Sequence, residues 1–390
     1  MQRHKFIVVG VILCILGVAG CEDTPTTSPA IDQSLDQLST EQDPSLSKIS
    51  SYPGFVYTLS NEAAGNSIIR YARSRDGSLT PAGNFPTGGT GSGAGLGNQG
   101  GLILENHLLY AVNAGSDEIS VMREDGNQLT VVSKISSGGS MPISVAVHRN
   151  LLYVLNAGGS GNIMGFRGAR SGILTPLPGS TRPLSSNAAG PAQVGFSPDG
   201  RILVVTEKAT NQIDTYTVGR DGIASGPNVQ SSTGETPFGF AFTRRGQLVV
   251  SDAFGGAAGL SALSSYRVNH HGLISLITGP VNNGQAAACW VAITKNGKFA
   301  YTTNTATANI SGYGIDHRGR LSLLDPDGIT ASSDAGPIDM ALSRNSQFLY
   351  TLNAGGQSIT IYRVNNGRGN LKPLGSITGL PASANGLAAE

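Results

Sequence analysis

The chain is poor in charge. Charged residues make up 13% of its 390 positions, about half the usual share. The 26 Lys and Arg nearly cancel the 25 Asp and Glu, so there is no basic excess of the kind that binds nucleic acid. Cysteine is almost absent, at three residues, which excludes a disulfide framework. Beyond the first 20 residues no stretch carries the 3.6-residue apolar period of a helix. One long apolar run exists, Phe6 to Val18, and it is shorter than the roughly 20 residues a spanning helix needs.

That run sits where an export signal belongs. Arg3, His4 and Lys5 precede it, and it ends in Val18-Ala19-Gly20-Cys21, which resembles the bacterial lipobox. The plainer readings are an ordinary signal peptide or an uncleaved anchor. The coincidence of small residues with a cysteine at the end of the run favours a signal over residues 1–20 with lipidation at Cys21. The chain would then be held to a membrane of the cell envelope, on the periplasmic side or at the cell surface. Residues 21–50, rich in Ser, Thr, Pro, Asp and Gln, read as a disordered tether. With Cys14 in the signal and Cys21 acylated, Cys289 is the one thiol left.

Glycine is abundant, at 54 residues, as suits many short strands joined by tight turns. From residue 51 onward the chain repeats. The clearest copies are Leu109-Tyr110-Ala111-Val112-Asn113-Ala114-Gly115, Leu152-Tyr153-Val154-Leu155-Asn156-Ala157-Gly158 and Leu349-Tyr350-Thr351-Leu352-Asn353-Ala354-Gly355. A fourth runs through Tyr301 to Asn304, and degenerate copies centre on Tyr57, Val204 and Val249. Tyr110 and Tyr350 bracket five intervals averaging about 48 residues, the length of a four-stranded propeller blade. An apolar strand precedes each copy, as at 142–147, 191–196, 237–242 and 337–342. Turns such as Ser197-Pro198-Asp199-Gly200 join the two.

These features predict an all-β protein, a seven-bladed β-propeller with four-stranded antiparallel blades over residues 51–390. The first copy, at 55–59, lacks a strand ahead of it, and Gly386 to Ala389 supplies one without a successor. The C-terminal strand therefore closes the ring. A closed ring of this kind is expected to be a monomer.

Call the face carrying the blade-to-blade crossovers the top. There the repeat aligns Ser60 with Asn61, Asn113, Asn156, Glu207, Asp252, Asn304 and Asn353 at the ends of the second strands. Gln99, Ser144, Gln193, Phe238, Trp290, Asp339 and Asn385 stand where the first strands begin. Such a mouth suits a small polar ligand, a protein or glycan partner, or a divalent cation such as Ca2+, although no metal ligand set can be assigned. An Asn ahead of Ala-Gly is also what a tight turn favours. Glu207 and Asp252 stand out because they replace Asn in adjacent blades; they could work as acid and base or bind a hard cation with the nearby Asn oxygens, although Lys208 beside Glu207 could simply neutralise it. Trp290, the single Trp, could stack on a ring-shaped ligand or cover the channel. His107, His148, His270, His271 and His317 all map to the bottom face, which argues against a His-based reaction at the top.

The Tyr-Val-Leu-Asn-Ala-Gly copies, together with the Gly190-Pro191-Ala192-Gln193-Val194-Gly195-Phe196-Ser197-Pro198-Asp199-Gly200 stretch and Glu207, resemble the lactonase-type seven-bladed propellers. That group includes 6-phosphogluconolactonase and carboxymuconate-lactonising enzymes. The resemblance runs from about residue 52 to the C-terminus and is nearest to its secreted branch. It implies a lactone hydrolase or cyclase, with Glu207 matching the family's Glu. Active members carry a His where a first strand begins; here Ala192 and Gln193 stand there, and no top-face Arg can be assigned. Two functions compete: an envelope lactonase using Glu207 and Asp252, with Asn113, Asn156, Gln193, Trp290, Asn304 and Asn353 binding, and a non-catalytic propeller that binds a protein or glycan.

Overall fold

The hydrophobic run of each repeat becomes the second strand of a blade, buried on both faces between neighbouring blades. Leu108–Asn113, Ile202–Glu207 and Phe348–Asn353 are buried at every position. Fourth strands lie at the rim and are mostly exposed, as at Gln128–Ser136 and Leu371–Thr378, so they carry little hydrophobic signal. The computed structural model describes residues 54–390, which form seven antiparallel sheets. The signal, Cys21 and the tether expected from the sequence over residues 21–50 lie outside the described residues. Among the described residues no helix is long and apolar enough to cross a membrane. The one helical element among the described residues is a single 3-10 turn, Phe254–Gly256.

Several first strands fall where the sequence places them: Pro191–Phe196, Pro237–Phe242 and Pro337–Leu342. Closure is also as expected, with Asn385–Ala389 pairing antiparallel to Phe55–Leu59. Two fourth strands differ from a simple strand. They are split into Thr175–Pro176 with Arg182–Pro183, and Leu321–Leu323 with Ala331–Ser332. In the first case Pro176 and Pro183 supply no N–H for a ladder, which confines such a segment to the edge.

The recurring Tyr of the repeat has a physical cause in a bond between blades. Each second-strand Tyr sends its hydroxyl into the turn between strands three and four of the next blade. Tyr110 donates to the Ala169 carbonyl at 2.5 Å, Tyr153 to Gly222 at 2.8 Å, Tyr301 to Gly369 at 2.8 Å and Tyr350 to Gly77 at 3.2 Å. Tyr57 donates to the Glu124 carboxylate instead. Where the Tyr is lost, at Val204 and Val249, the residue paired across from it takes over. Thr215 donates to the Gly272 carbonyl and Ser265 to Gly319, each at 2.7 Å. Seven ties therefore close the ring, each contributing about 1 kcal/mol net. Gly222 must be glycine: its φ is +82°, and a Cβ there would come within 2.7 Å of Leu151.

Candidate functional site

The polar residues ending the second strands point into the crossovers, not into the channel. Asn113 shows the pattern. Its Oδ1 accepts from Thr87 Oγ1 at 2.7 Å and Asn66 Nδ2 at 3.0 Å, and its Nδ2 donates to Ser120 Oγ at 2.8 Å. Asn156 Nδ2 reaches the Ser137 carbonyl at 3.2 Å. Asn304 Oδ1 accepts from Asn283, while its Nδ2 reaches Asn309 and Ser311. Asn353 Nδ2 donates to Thr360 Oγ1 at 2.9 Å. All four are fully buried. A crossover glycine lies directly against two of them, since a Cβ on Gly89 or Gly139 would fall 2.4 and 2.6 Å from Asn113 and Asn156. In Asn113, Asn156 and Asn304 the signature thus records how a blade grips the chain arriving from the previous one, whereas Asn353 bonds within its own blade.

Glu207 and Asp252 occupy the same position and are equally buried. Glu207 accepts from the Ser185 amide at 2.9 Å, from the Ser185 hydroxyl, and from Thr210 Oγ1 at 2.5 Å. Asp214, on the adjoining strand, lies beside it. Burial first, and then Glu207, push Asp214 up to about 8, and neither of its oxygens has a hydrogen-bond partner of good geometry. Burial likewise raises Asp252 to about 7, with Ser264 and Ser232 pulling the other way. Ser264 Oγ donates to its Oδ2 at 2.5 Å, while Oδ1 is unpartnered. Glu207 is not among the groups that act on Asp252, so the two carboxyls expected to cooperate stand in separate networks. Asp214 was missed, although its sequence carried a signal: an acid where four of the other third strands place Ser120, Ser264, Ser311 or Thr360.

The centre of the mouth is built from other residues. The crossover from the first blade to the second, residues 87–101, contains eight glycines and turns inward across the opening. Asn98 accepts Trp290 Nε1 at 2.7 Å through its carbonyl and Asn385 Nδ2 at 3.0 Å through its side chain; its own amide donates to the Ile143 carbonyl. Gln99 clasps the backbone of Val291, donating at 2.9 Å and accepting at 3.1 Å, and its amide reaches the Ala192 carbonyl. Asn61 holds the base of this plug through Ala94 and Ser92. The plug thus joins the first, third, fourth and sixth blades. Gln99 reaches the mouth by this route and not by strand register, where Gly101 takes the equivalent place.

Lys208 lies under the plug. Its ammonium donates to the Gly97 carbonyl at 2.5 Å and sits 4.8 Å from the centre of the Phe238 ring. Burial lowers it to about 8. Phe238 and Trp290 pack with ring centres 5.0 Å apart. Cys289 is buried beside them, and burial pushes its thiol up to about 11, which leaves it a poor nucleophile. Gln193 clasps Phe240 at 3.1 and 2.7 Å. Asp339, buried where the first strand of the seventh blade begins, rises to about 8 through burial, against a bond of 2.7 Å from the Met340 amide.

Among the described residues, one His and carboxylate trio has metal-binding spacing: His107, Glu124 and Glu390. It lies at the bottom face, beside Arg70, with Glu124 taking the Tyr57 hydroxyl and Glu390 taking the Phe55 amide at 3.0 Å. These bonds tie the ring closure.

A closed seven-bladed propeller with a half-buried lysine under a glycine-rich plug is therefore the class of protein defined here. The chain belongs to the family described as "Lactonase, 7-bladed beta-propeller", which matches residues 173–253 and 262–384. Among solved structures, it resembles the periplasmic gluconolactonase of Pseudomonas aeruginosa, with a TM-score of 0.67 and 15% identity over 85% of this chain and 98% of that one. A Bacteroides fragilis protein described as a 6-phosphogluconolactonase gives a TM-score of 0.66 at 18% identity, covering 86% and 97% of the two chains. A Lactobacillus plantarum protein gives 0.68 at 19%, covering 86% and 98%. At these identities the likeness is one of fold. No curated protein matches the sequence.

Proposed function

We propose that this is an envelope-anchored lactonase-type enzyme, hydrolysing or forming a lactone of a small sugar acid or other carboxylic acid at the top mouth. The observation that carries this reading is Lys208. A cation held in a low-dielectric mouth, with one backbone carbonyl as its hydrogen-bond acceptor, can exchange that carbonyl for a substrate oxygen. There it would stabilise the negative charge that develops on the carbonyl oxygen when water adds across the lactone bond. Phe238 and Trp290 supply an apolar wall for a ring-shaped substrate. Glu207, the base expected from the family likeness, is engaged with Ser185 and Thr210. It would have to release them before accepting a proton from water.

The test sets these two residues against each other on a panel of sugar-acid lactones, free and phosphorylated, with and without Ca2+. Lys208→Met should lower kcat/KM by about 100-fold or more, while Glu207→Gln should mainly lower the unfolding midpoint. Wild-type rates in Lys208→Met would exclude this site. The plug across the opening favours a second reading, a propeller that binds a protein or glycan without chemistry. Failure of the wild type to turn over any lactone would put that reading first.

A further inference from the structure

The charge that the sequence balances overall is separated in space. The turns of the bottom face, and the strand ends that run into them, carry eighteen exposed Lys and Arg side chains against six exposed carboxylates. At the top the balance reverses, with Glu62, Asp117, Glu118, Glu235 and Asp334 along the crossovers. Two ion pairs form among the described residues, Lys134 with Glu118 at the top and Arg201 with Asp199 at the bottom. Nearly all the bottom cations therefore face solvent unpaired. Their densest sector is the fifth blade, where two grooves of about 690 and 590 Å3 flank Arg244 and Arg245. Arg267 and Arg318 line the larger groove, and Lys298 the smaller one. The acids there are already engaged: Asp316 accepts the amides of Arg318 and Arg320 at 2.8 Å, and Asp199 holds Ser197 at 2.7 Å.

Two further observations select among polyanions. The most exposed large apolar side chains, Ile173 at 62% and Leu273 at 54%, stand in bottom turns of the third and fifth blades among these cations. A soluble acidic polymer gains nothing from them, whereas a bilayer interface accepts apolar side chains below a layer of headgroup charge. The chain also enters the ring at this face, since Gly54 and Phe55 pair with Arg73 and Glu390 at the bottom. The first described residues therefore lie on the same side as these cations.

We propose that the bottom face seats the propeller on a bilayer of anionic headgroups. The cations supply electrostatic attraction, while Ile173 and Leu273 enter the interface. This rests on the envelope-anchored reading above and adds orientation to it: the mouth with Lys208 is turned away from the membrane. Acyl chains at Cys21 would hold the protein to a membrane without orienting it, and a basic surface drawn to anionic headgroups would set the orientation.

The test uses residues 22–390, which contain the whole closed ring and no acyl chain, so lipidation does not enter the result. The protein is sedimented with vesicles of phosphatidylcholine, with and without phosphatidylglycerol. Binding should need phosphatidylglycerol and fall at least tenfold between about 0.05 and about 0.5 M salt. Arg244→Glu with Arg245→Glu should weaken it about tenfold, and Lys134→Ser at the top should leave it unchanged. Ile173→Ser with Leu273→Ser should weaken vesicle binding severalfold but leave retention on a soluble polyanion, dextran sulfate, as it was. No binding to anionic vesicles, or equal loss on both supports in the apolar variant, would overturn the proposal. Lactone turnover by the same variants reports on the top mouth separately.

Discussion

At the scale of single residues, the informative positions are those where one blade departs from the repeat. Asp252 stands where Asn113, Asn156, Asn304 and Asn353 stand in other blades, fully buried, with one oxygen unpartnered. Burial holds its proton on up to about pH 7. At higher pH the position carries a buried charge with one hydroxyl donor, which is costly. Asp252→Asn restores the common residue and removes that charge. The variant should be more stable than wild type at pH 8, by about 1 kcal/mol, and no more stable at pH 5, as read from urea unfolding. Lost lactonase activity with raised stability would instead make Asp252 a catalytic group. Sequence alignment of the copies located this departure, and that of Glu207, without any structure. It could not show which way the side chains face. An Asn that caps a turn, one that lines a mouth and one that grips the preceding crossover look alike in a repeat. Only Thr87, Ser137 and Ser185 arriving from the previous blade decide the matter.

At the scale of elements, the strands were legible and the plug was not. The first and second strands are short apolar runs between Gly, Pro and Asp turns, so period and punctuation agree on their limits. Residues 87–101 have neither. Glycine-rich chain gives no pattern, and its partners at Ala192 and Val291 are far away in sequence. Packing fixes its course. A Cβ on Gly91 would fall 2.1 Å from the Asn61 backbone, which cannot yield as a side-chain tip could. Gly91→Ala should therefore shift the plug and break the bond from Trp290 Nε1 to the Asn98 carbonyl. Because Trp290 is the only Trp, its fluorescence reports on the mouth directly. The emission should change in intensity and move to longer wavelength as the indole meets water, with the far-ultraviolet dichroism of the sheets unchanged. An unchanged emission spectrum would show that the plug does not depend on this approach.

At the scale of the whole molecule, the ring keeps several ionisable groups where water is scarce, and this gives stability an unusual dependence on pH. Asp214, Asp252 and Asp339 are raised to about 8, 7 and 8. In each case the folded protein holds a proton that the unfolded chain releases near pH 4. Their contribution is thus complete below about pH 4 and is lost as pH rises toward 7 and 8. Lys208, lowered to about 8, has the opposite slope. Between about pH 8 and 10.5 the unfolded chain binds the proton that the folded form has lost, so stability recovers. The two effects together predict a minimum near pH 8 in the urea midpoint. Asp339→Asn should flatten the acid side of that minimum, because an amide has no proton to lose, and Lys208→Met should flatten the alkaline side. Neither variant alters the seven ties between blades, so the cooperativity of unfolding should persist. A midpoint that instead rises steadily from pH 5 to 8, as it does when paired carboxylates dominate, would mean that these buried groups ionise together with relief from water or a bound cation.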